Sequence, residues 1–340
     1  MDVALALLLI SATVLLIGIY LNDDDESIDG DRGDEALQTL SGSTVTITYD
    51  LRAPDETGRA AVDSANFDSP ENFEPDDVPD LYQITTYGSA LDLLGEAAMA
   101  NLEIGATGLF AYGHDVERSV DGAIRSRLIG SEGNVYAIAT WEPYEGASTT
   151  GSATAGDRPP DDVDTSSATT DLSGTVPSID AETLAEAFDE GERGSTRRSG
   201  VDDGFDRVGV HVAEAILEAY FPPDRTQYAL ESSLTENAAT VYNYRQLADV
   251  VDVDVDEHVT GSNPDAVEAN EALRGDPGDE DGLAAVIADD LRDSSPGQRI
   301  RETYDEFDDS PTTAELTSLE SVFEEELSTD RIEVTVQTWD

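Results

Sequence analysis

Read by its apolar and polar positions, the chain begins with an unbroken apolar stretch, MDVALALLLISATVLLIGIYLN, that ends against Asp23, Asp24, Asp25 and Glu26. The nineteen residues from Val3 to Leu21 carry no charge. As a helix they would span roughly 28 Å, close to the hydrocarbon thickness of a bilayer. A cleavable signal has a basic start and a shorter apolar core. Here Asp2 stands where the basic residue would be, and Val14 to Ile17 continue the run past Ser11-Ala12. The pattern therefore predicts an uncleaved membrane anchor, with a short cytoplasmic N-terminus and the body outside. Lipid contact is expected through Val3 to Leu21.

Beyond the anchor the periods change. Val45, Ile47, Tyr49 and Leu51 alternate with Thr44, Thr46, Thr48 and Asp50, which predicts a half-buried strand. Residues 53–80, rich in Pro, Asp and Asn, read as a long loop. Helices are expected over 81–104, with Leu91, Leu94, Ala98 and Leu102 on one side, and over 114–130, with Val116, Val120, Ile124 and Leu128 in register. VYAIATW is apolar on both parities and predicts a central strand that ends at Pro143. Residues 205–221 place Val208, Val212, Ile216 and Tyr220 on one stripe before Pro222-Pro223, a helix with a marked stop. The strict alternation of Val251, Val253 and Val255 with Asp252, Asp254 and Asp256 predicts an exposed strand. A last helix is read from Ser310 as N-cap and Pro311 at its first position, with Leu316, Leu319, Phe323 and Leu327 apolar. The chain closes on RIEVTVQTWD, with Ile332, Val334 and Val336 on one face. Trp141 and Trp339 each end a strand in Thr-Trp-acid, an echo open to three readings: paired strands, a diverged duplication or coincidence.

Residues 148–178 hold Gly, Ser, Thr, Asp and Pro with almost no large apolar residue, the composition of a flexible link. The organisation expected is an anchor at 1–22, an acidic spacer at 23–40, a first α/β module at 41–147, a linker at 148–178 and a second α/β module at 179–340. The fold class is α+β, an N-terminal transmembrane helix followed by an acidic body of mixed helix and strand.

Charge changes the picture in one direction. The chain carries 75 acidic and 18 basic residues, a formal net charge of −57, and every basic residue is Arg. Such repulsion is tolerable when molar salt shortens the screening length to about 3 Å, so the acidity reads as adaptation to an extreme halophile's solvent. A basic nucleic-acid surface is excluded, since Arg197-Arg198 is the lone basic doublet. With no Cys, disulfides, thiol catalysis and Cys-based zinc sites are excluded too.

Catalytic chemistry has little to draw on. The three imidazoles, His114, His211 and His258, sit in no recognisable frame, and His211 reads as a boundary residue of its helix. Ser89, in TYGSA, lacks the second glycine of a nucleophile elbow. Two acidic segments invite calcium, DGDRGDE from Asp29 and DPGDEDG from Asp276. Setting Gly282 as the loop glycine puts Asp279 and Asp281 at ligand positions but leaves Pro277 and Ala288 at the ends, where ligands are required. No catalytic, cofactor-binding or metal-ligating residue is assigned, and no cofactor is expected.

The DVALALLLISATVLL anchor, the Lys-free acidic body and the VYAIATWEPYEGA strand with its Gly/Ser sequel resemble an uncharacterised group of haloarchaeal single-span membrane proteins. Genes of that group lie near type IV pilus-like or secretion machinery. The resemblance implies a structural or assembly role with protein partners at the membrane or cell surface. The residues read alone leave a second class open, an anchored hydrolase that works through carboxylates.

Overall fold

The computed structural model describes residues 31–51, 83–105, 107–110, 112–128, 134–193, 200–232, 235–261, 263–307 and 311–339. Helix α1 (Asp31–Gly42) leads into β1 (Thr44–Asp50), which pairs antiparallel with β2 (Gln83–Ser89), from Thr44 opposite Ser89 to Asp50 opposite Gln83. Then come α2 (Ala90–Ala100), the short strands β3 (Leu102–Ile104) and β4 (Thr107–Gly108), α3 (Gly113–Leu128), β5 (Asn134–Trp141), β6 (Thr149–Gly156) and β7 (Ser166–Ser173). A helical stretch follows: α4 (Ala181–Arg193), α5 (Gly200–Tyr220), α6 (Pro223–Glu231), α7 (Thr235–Val250), α8 (Asp256–Val259), α9 (Ala266–Arg274), α10 (Leu283–Asp293), α11 (Ser295–Asp305) and α12 (Thr313–Glu326). Strand β8 (Arg331–Trp339) closes the chain. The class is α+β, as the sequence suggested.

The main sheet has six strands in the order β4-β3-β6-β5-β8-β7, every neighbouring pair antiparallel. β5 is central, and its partner β8 comes from the far end of the chain. Of the three readings of the Thr-Trp echo, strand pairing is the one the register shows. Because the pair is antiparallel, Trp141 lies opposite Ile332 and Trp339 opposite Asn134, so the two indoles occupy opposite ends. Trp141 is fully buried and its Nε1–H donates to the Thr329 carbonyl at 2.7 Å.

The expectation of a flexible link at 148–178 is corrected here. Residues 149–156 and 166–173 are strands of this sheet, and Thr149, Gly151, Ala153 and Ala155 are buried on one face of β6. Their smallness has a cause. α2 lies so close that a Cβ on Gly151 would come within 2.4 Å of the Ala98 carbonyl oxygen. One sheet thus spans the boundary drawn between the two modules. The spacer expected at 23–40 is shortened in the same way, because 31–42 is helical, with Gly33, Ala36 and Leu40 buried. Gly33 brings α1 onto β7, where an added Cβ would meet the Ser167 carbonyl carbon at 2.8 Å, and its N–H donates to Ser166 Oγ at 3.2 Å.

Three further expectations shift. The helix read over 81–104 is strand β2, helix α2 and strand β3, because Ser89 caps α2 by accepting from the Asp92 N–H at 3.0 Å. The Val-Asp alternation at 251–256 forms no strand. Val251 and Val253 donate back to Leu247 and Ala248 at the end of α7, while Asp252 turns the chain at φ 58°, which leaves Val251 and Val255 both in the core. The last helix begins later than Pro311. Thr312 is its N-cap in a reciprocal box, with Oγ1 accepting from the Glu315 N–H and Glu315 Oε2 from the Thr312 N–H at 2.6 Å.

The helices read at 114–130 and 205–221 are present as α3 and α5, with Val116, Val120, Ile124, Val208, Val212 and Ile216 buried. Phe188 of α4 packs edge-on against Phe205, Tyr304 and Phe323, joining α4, α5, α11 and α12. Sheet and helices share one continuous core. The apolar run 3–21, the loop read at 53–80, Arg197-Arg198 and Ser310 lie outside the described residues. No helix among the described residues is long and apolar enough to cross a membrane.

Candidate functional site

The three imidazoles lie on three different helices. His114 on α3 is 3.7 Å from Glu117, and His211 on α5 is 3.7 Å from Glu214. His258 on α8 places Nδ1 3.2 Å from Glu268 and Nε2 3.5 Å from Glu257. His211 is partly exposed at the edge of its helix face, the boundary position read from the sequence. Among the described residues no group of three or more His, Asp or Glu side chains is placed to hold a metal ion. In the segment from Asp276 to Gly282 the Asp279 carboxylate serves the turn itself. The Asp276 N–H donates to Asp279 Oδ2 at 3.3 Å, and Gly278 and Gly282 take positive φ.

Other acids hold backbone together. Glu117 accepts from Asn101 Nδ2 at 3.0 Å, from the Thr154 N–H at 2.7 Å and from Thr154 Oγ1 at 2.8 Å. One turn on, Asp121 accepts from the Gly156 N–H at 2.7 Å and from Arg125 Nε, the helix-surface pair expected from their spacing. Asp115 accepts from the Asp50 N–H at 2.9 Å. α3 therefore uses three carboxylates to fasten β6 and the β1–β2 hairpin, with charge-assisted bonds stronger than neutral ones. Arg292 on α10 gathers Asp202, Asp206 and Asp289 at 3.3, 2.9 and 2.6 Å. Burial raises the Asp206 carboxyl, and Arg292 acts against that rise.

Among the described residues, two depressions with the size of ligand sites stand out. One, of about 360 Å³, is rimmed by Asp180, Glu320, Glu324, Asp330 and Arg331 around Leu184 and Phe323. Its acids are partly committed: Asp180 Oδ1 accepts from the Glu182 N–H, and Asp330 Oδ1 from Ser328 Oγ. The other, of about 450 Å³, opens at the β3–β4 edge of the sheet and is lined by Ile104, Gly105, Thr107, Ser148, Gln246, Asp249, Val250 and Val286.

This second cleft is built from three fixed parts. The β3–β4 turn supplies Ile104, Gly105 and Thr107, with Gly105 at φ 63° as the tight turn requires. Ser148 is held from both sides, its carbonyl accepting from the Gly105 N–H at 2.9 Å and its N–H donating to Asp290 Oδ2 at 2.8 Å. Asp290 also accepts from the Tyr144 hydroxyl at 2.7 Å, and burial, then that carboxylate, pushes the phenol far above its ordinary range. Helix α7 supplies Gln246, Asp249 and Val250, whose spacing puts them on one face. Sequence reasoning missed the cleft because Ser148 fell in the supposed link and Gln246 in none of the elements or motifs read from the sequence. A lone Gln among Tyr244, Leu247 and Ala248, all buried, was the available signal.

The chain belongs to a family of unknown function, DUF7284, whose model matches residues 1–339. No curated protein and no solved structure matches it.

Proposed function

We propose that this DUF7284 chain is a membrane-anchored, non-enzymatic accessory or structural component, with its acidic body extracytoplasmic, in the setting of a pilus-like or secretion apparatus. The observation that carries this reading is the seating of α1. Only residues 22–30 separate the apolar run from α1, and α1 rests on β7 at Gly33. Nine residues reach at most about 32 Å when fully extended, so an anchor formed by Val3 to Leu21 would hold the sheet edge near the bilayer surface. A helix that both follows the anchor and packs into the body transmits position, which suits a component that works by contact with neighbours. The acids of α3 support the same reading, because they fasten strands to helices.

The test is cell fractionation in molar salt, with the full chain and a chain lacking residues 2–22, in strains with and without the pilus-like or secretion genes. The full chain should stay with membranes through an alkaline wash, the shortened chain should not, and the level of the full chain should fall when the machinery is deleted. An unchanged level in those deletions, together with a hydrolytic activity lost on single carboxylate substitutions, would favour the anchored hydrolase instead.

A further inference from the structure

We infer that the cleft at the β3–β4 edge is a binding site for an alkylguanidinium group, through the carboxamide of Gln246 and the carboxylate of Asp249. Gln246 is 7 % exposed, lines the cleft, and makes no hydrogen bond to another described residue. A carboxamide has four hydrogen-bonding positions, and those of Gln246, which no other described residue meets but which keep access to the cleft's solvent, are left for whatever occupies the cleft. A polar guest can take them in place of water.

The lining specifies the guest. Asp249, three residues on along the same face of α7, is the one ionisable side chain of the lining and is exposed at the rim. Thr107 and Ser148 add hydroxyls, while Ile104, Val250 and Val286 are apolar. A ligand that fits offers several N–H donors in a plane, a positive charge towards Asp249 and a short apolar stem. Guanidinium meets this better than ammonium, because its planar fork can bond the carboxylate and the amide oxygen while its weakly hydrated face rests on aliphatic carbon. Anions are disfavoured by the net charge of −57. The walls are preformed, since Gly105 and Asp290 pin Ser148 from opposite sides, and the volume lies in the range of small-ligand sites. The same chemistry has two sources, a free guanidino compound or an arginine side chain of another protein.

The test is isothermal titration calorimetry on the full chain in lipid nanodiscs, with n-butylguanidinium as probe and n-butylammonium and n-butyrate as comparisons. Saturable binding is expected for n-butylguanidinium, weaker for the ammonium and absent for butyrate. Gln246→Met should lower the affinity about tenfold, the worth of one net hydrogen bond, while leaving the thermal midpoint of the unliganded chain unchanged or raised. Should that variant fold poorly, Asp249→Asn, at an exposed position, gives the same readout. Tighter binding of acetyl-Gly-Arg-Gly-amide than of agmatine assigns the site to a protein arginine, and the reverse order to a free cation. No saturable binding of n-butylguanidinium, or binding indifferent to both substitutions, would overturn the inference and leave a water-filled cleft. Neither result depends on the membrane reading, whose test is fractionation.

Discussion

Strand β8 and the strands β6 and β7 belong to one sheet, yet they are built from different materials. β8 buries Ile332, Val334, Val336 and Trp339, whereas β6 and β7 bury Thr149, Gly151, Ala153, Ala155 and Ala168, and β5, between β8 and β6, combines the two by burying Trp141 with Ala137 and Ala139. The difference follows from what covers each strand. Over β6 the backbone of α2 reaches the strand itself at Ala98, and over β7 that of α1 does so at Gly33. A large side chain at those points would have no room, so close helix-on-strand contact replaces side-chain bulk. A stretch poor in large apolar residues can therefore be a strand when helices cover it tightly.

The contrast can be broken most severely at Gly151. Gly151→Val should cost more than about 4 kcal/mol, because neither the Ala98 carbonyl nor the strand can yield the space, and overpacking against backbone belongs to the large end of single-residue effects. Loss of a cooperative thermal transition in molar salt is the expected result. For the bulky strand, Ile332→Ala should cost about 2–4 kcal/mol, read as a fall in denaturant midpoint without a change in slope. Gly33→Val should cost about 1–3 kcal/mol, with the damage local: hydrogen exchange should rise over 31–42 and 166–173 and stay unchanged over α5.

A smaller effect concerns alkaline pH. The phenols of Tyr112, Tyr144, Tyr220 and Tyr244 are raised, with burial the leading cause in each. Above about pH 10 the unfolded chain ionises these groups while the folded chain holds them neutral, so their contribution is complete below that pH and is lost as pH rises. Denaturant midpoints should fall between pH 9.5 and 11, and Tyr112→Phe should flatten the slope by about 1.4 kcal/mol per pH unit.

These same residues explain what was legible. Strands β1 and β8 and helices α3 and α5 announced themselves because their buried faces carry large apolar side chains at regular spacing, and β5 because it is apolar on both parities. β6 and β7 did not, since their burial depends on Gly and Ala fitting under helices far away in sequence. The Val-Asp alternation misled for the opposite reason. Its regular spacing arose from two core valines on either side of a left-handed Asp252, and hydrogen bonds to the end of α7 took the place of a ladder. The cleft depends on parts drawn from 104–107, 148, 246–250 and 286, so no local pattern could assemble it. Ser89 and the acids of α3 had visible spacing, but their use as caps and fasteners appears only once their partners are in place.

The measurement that bears most directly on the account is protease shaving of intact cells in molar salt, with an epitope tag after Asp340 and an intact-mass reading of the membrane-retained N-terminal fragment. An outward-facing anchored body predicts that the tag is lost from intact cells while Val3 to Leu21 remain on a membrane-bound fragment. A tag that survives until the cells are lysed would place the body on the inner face and contradict the proposal.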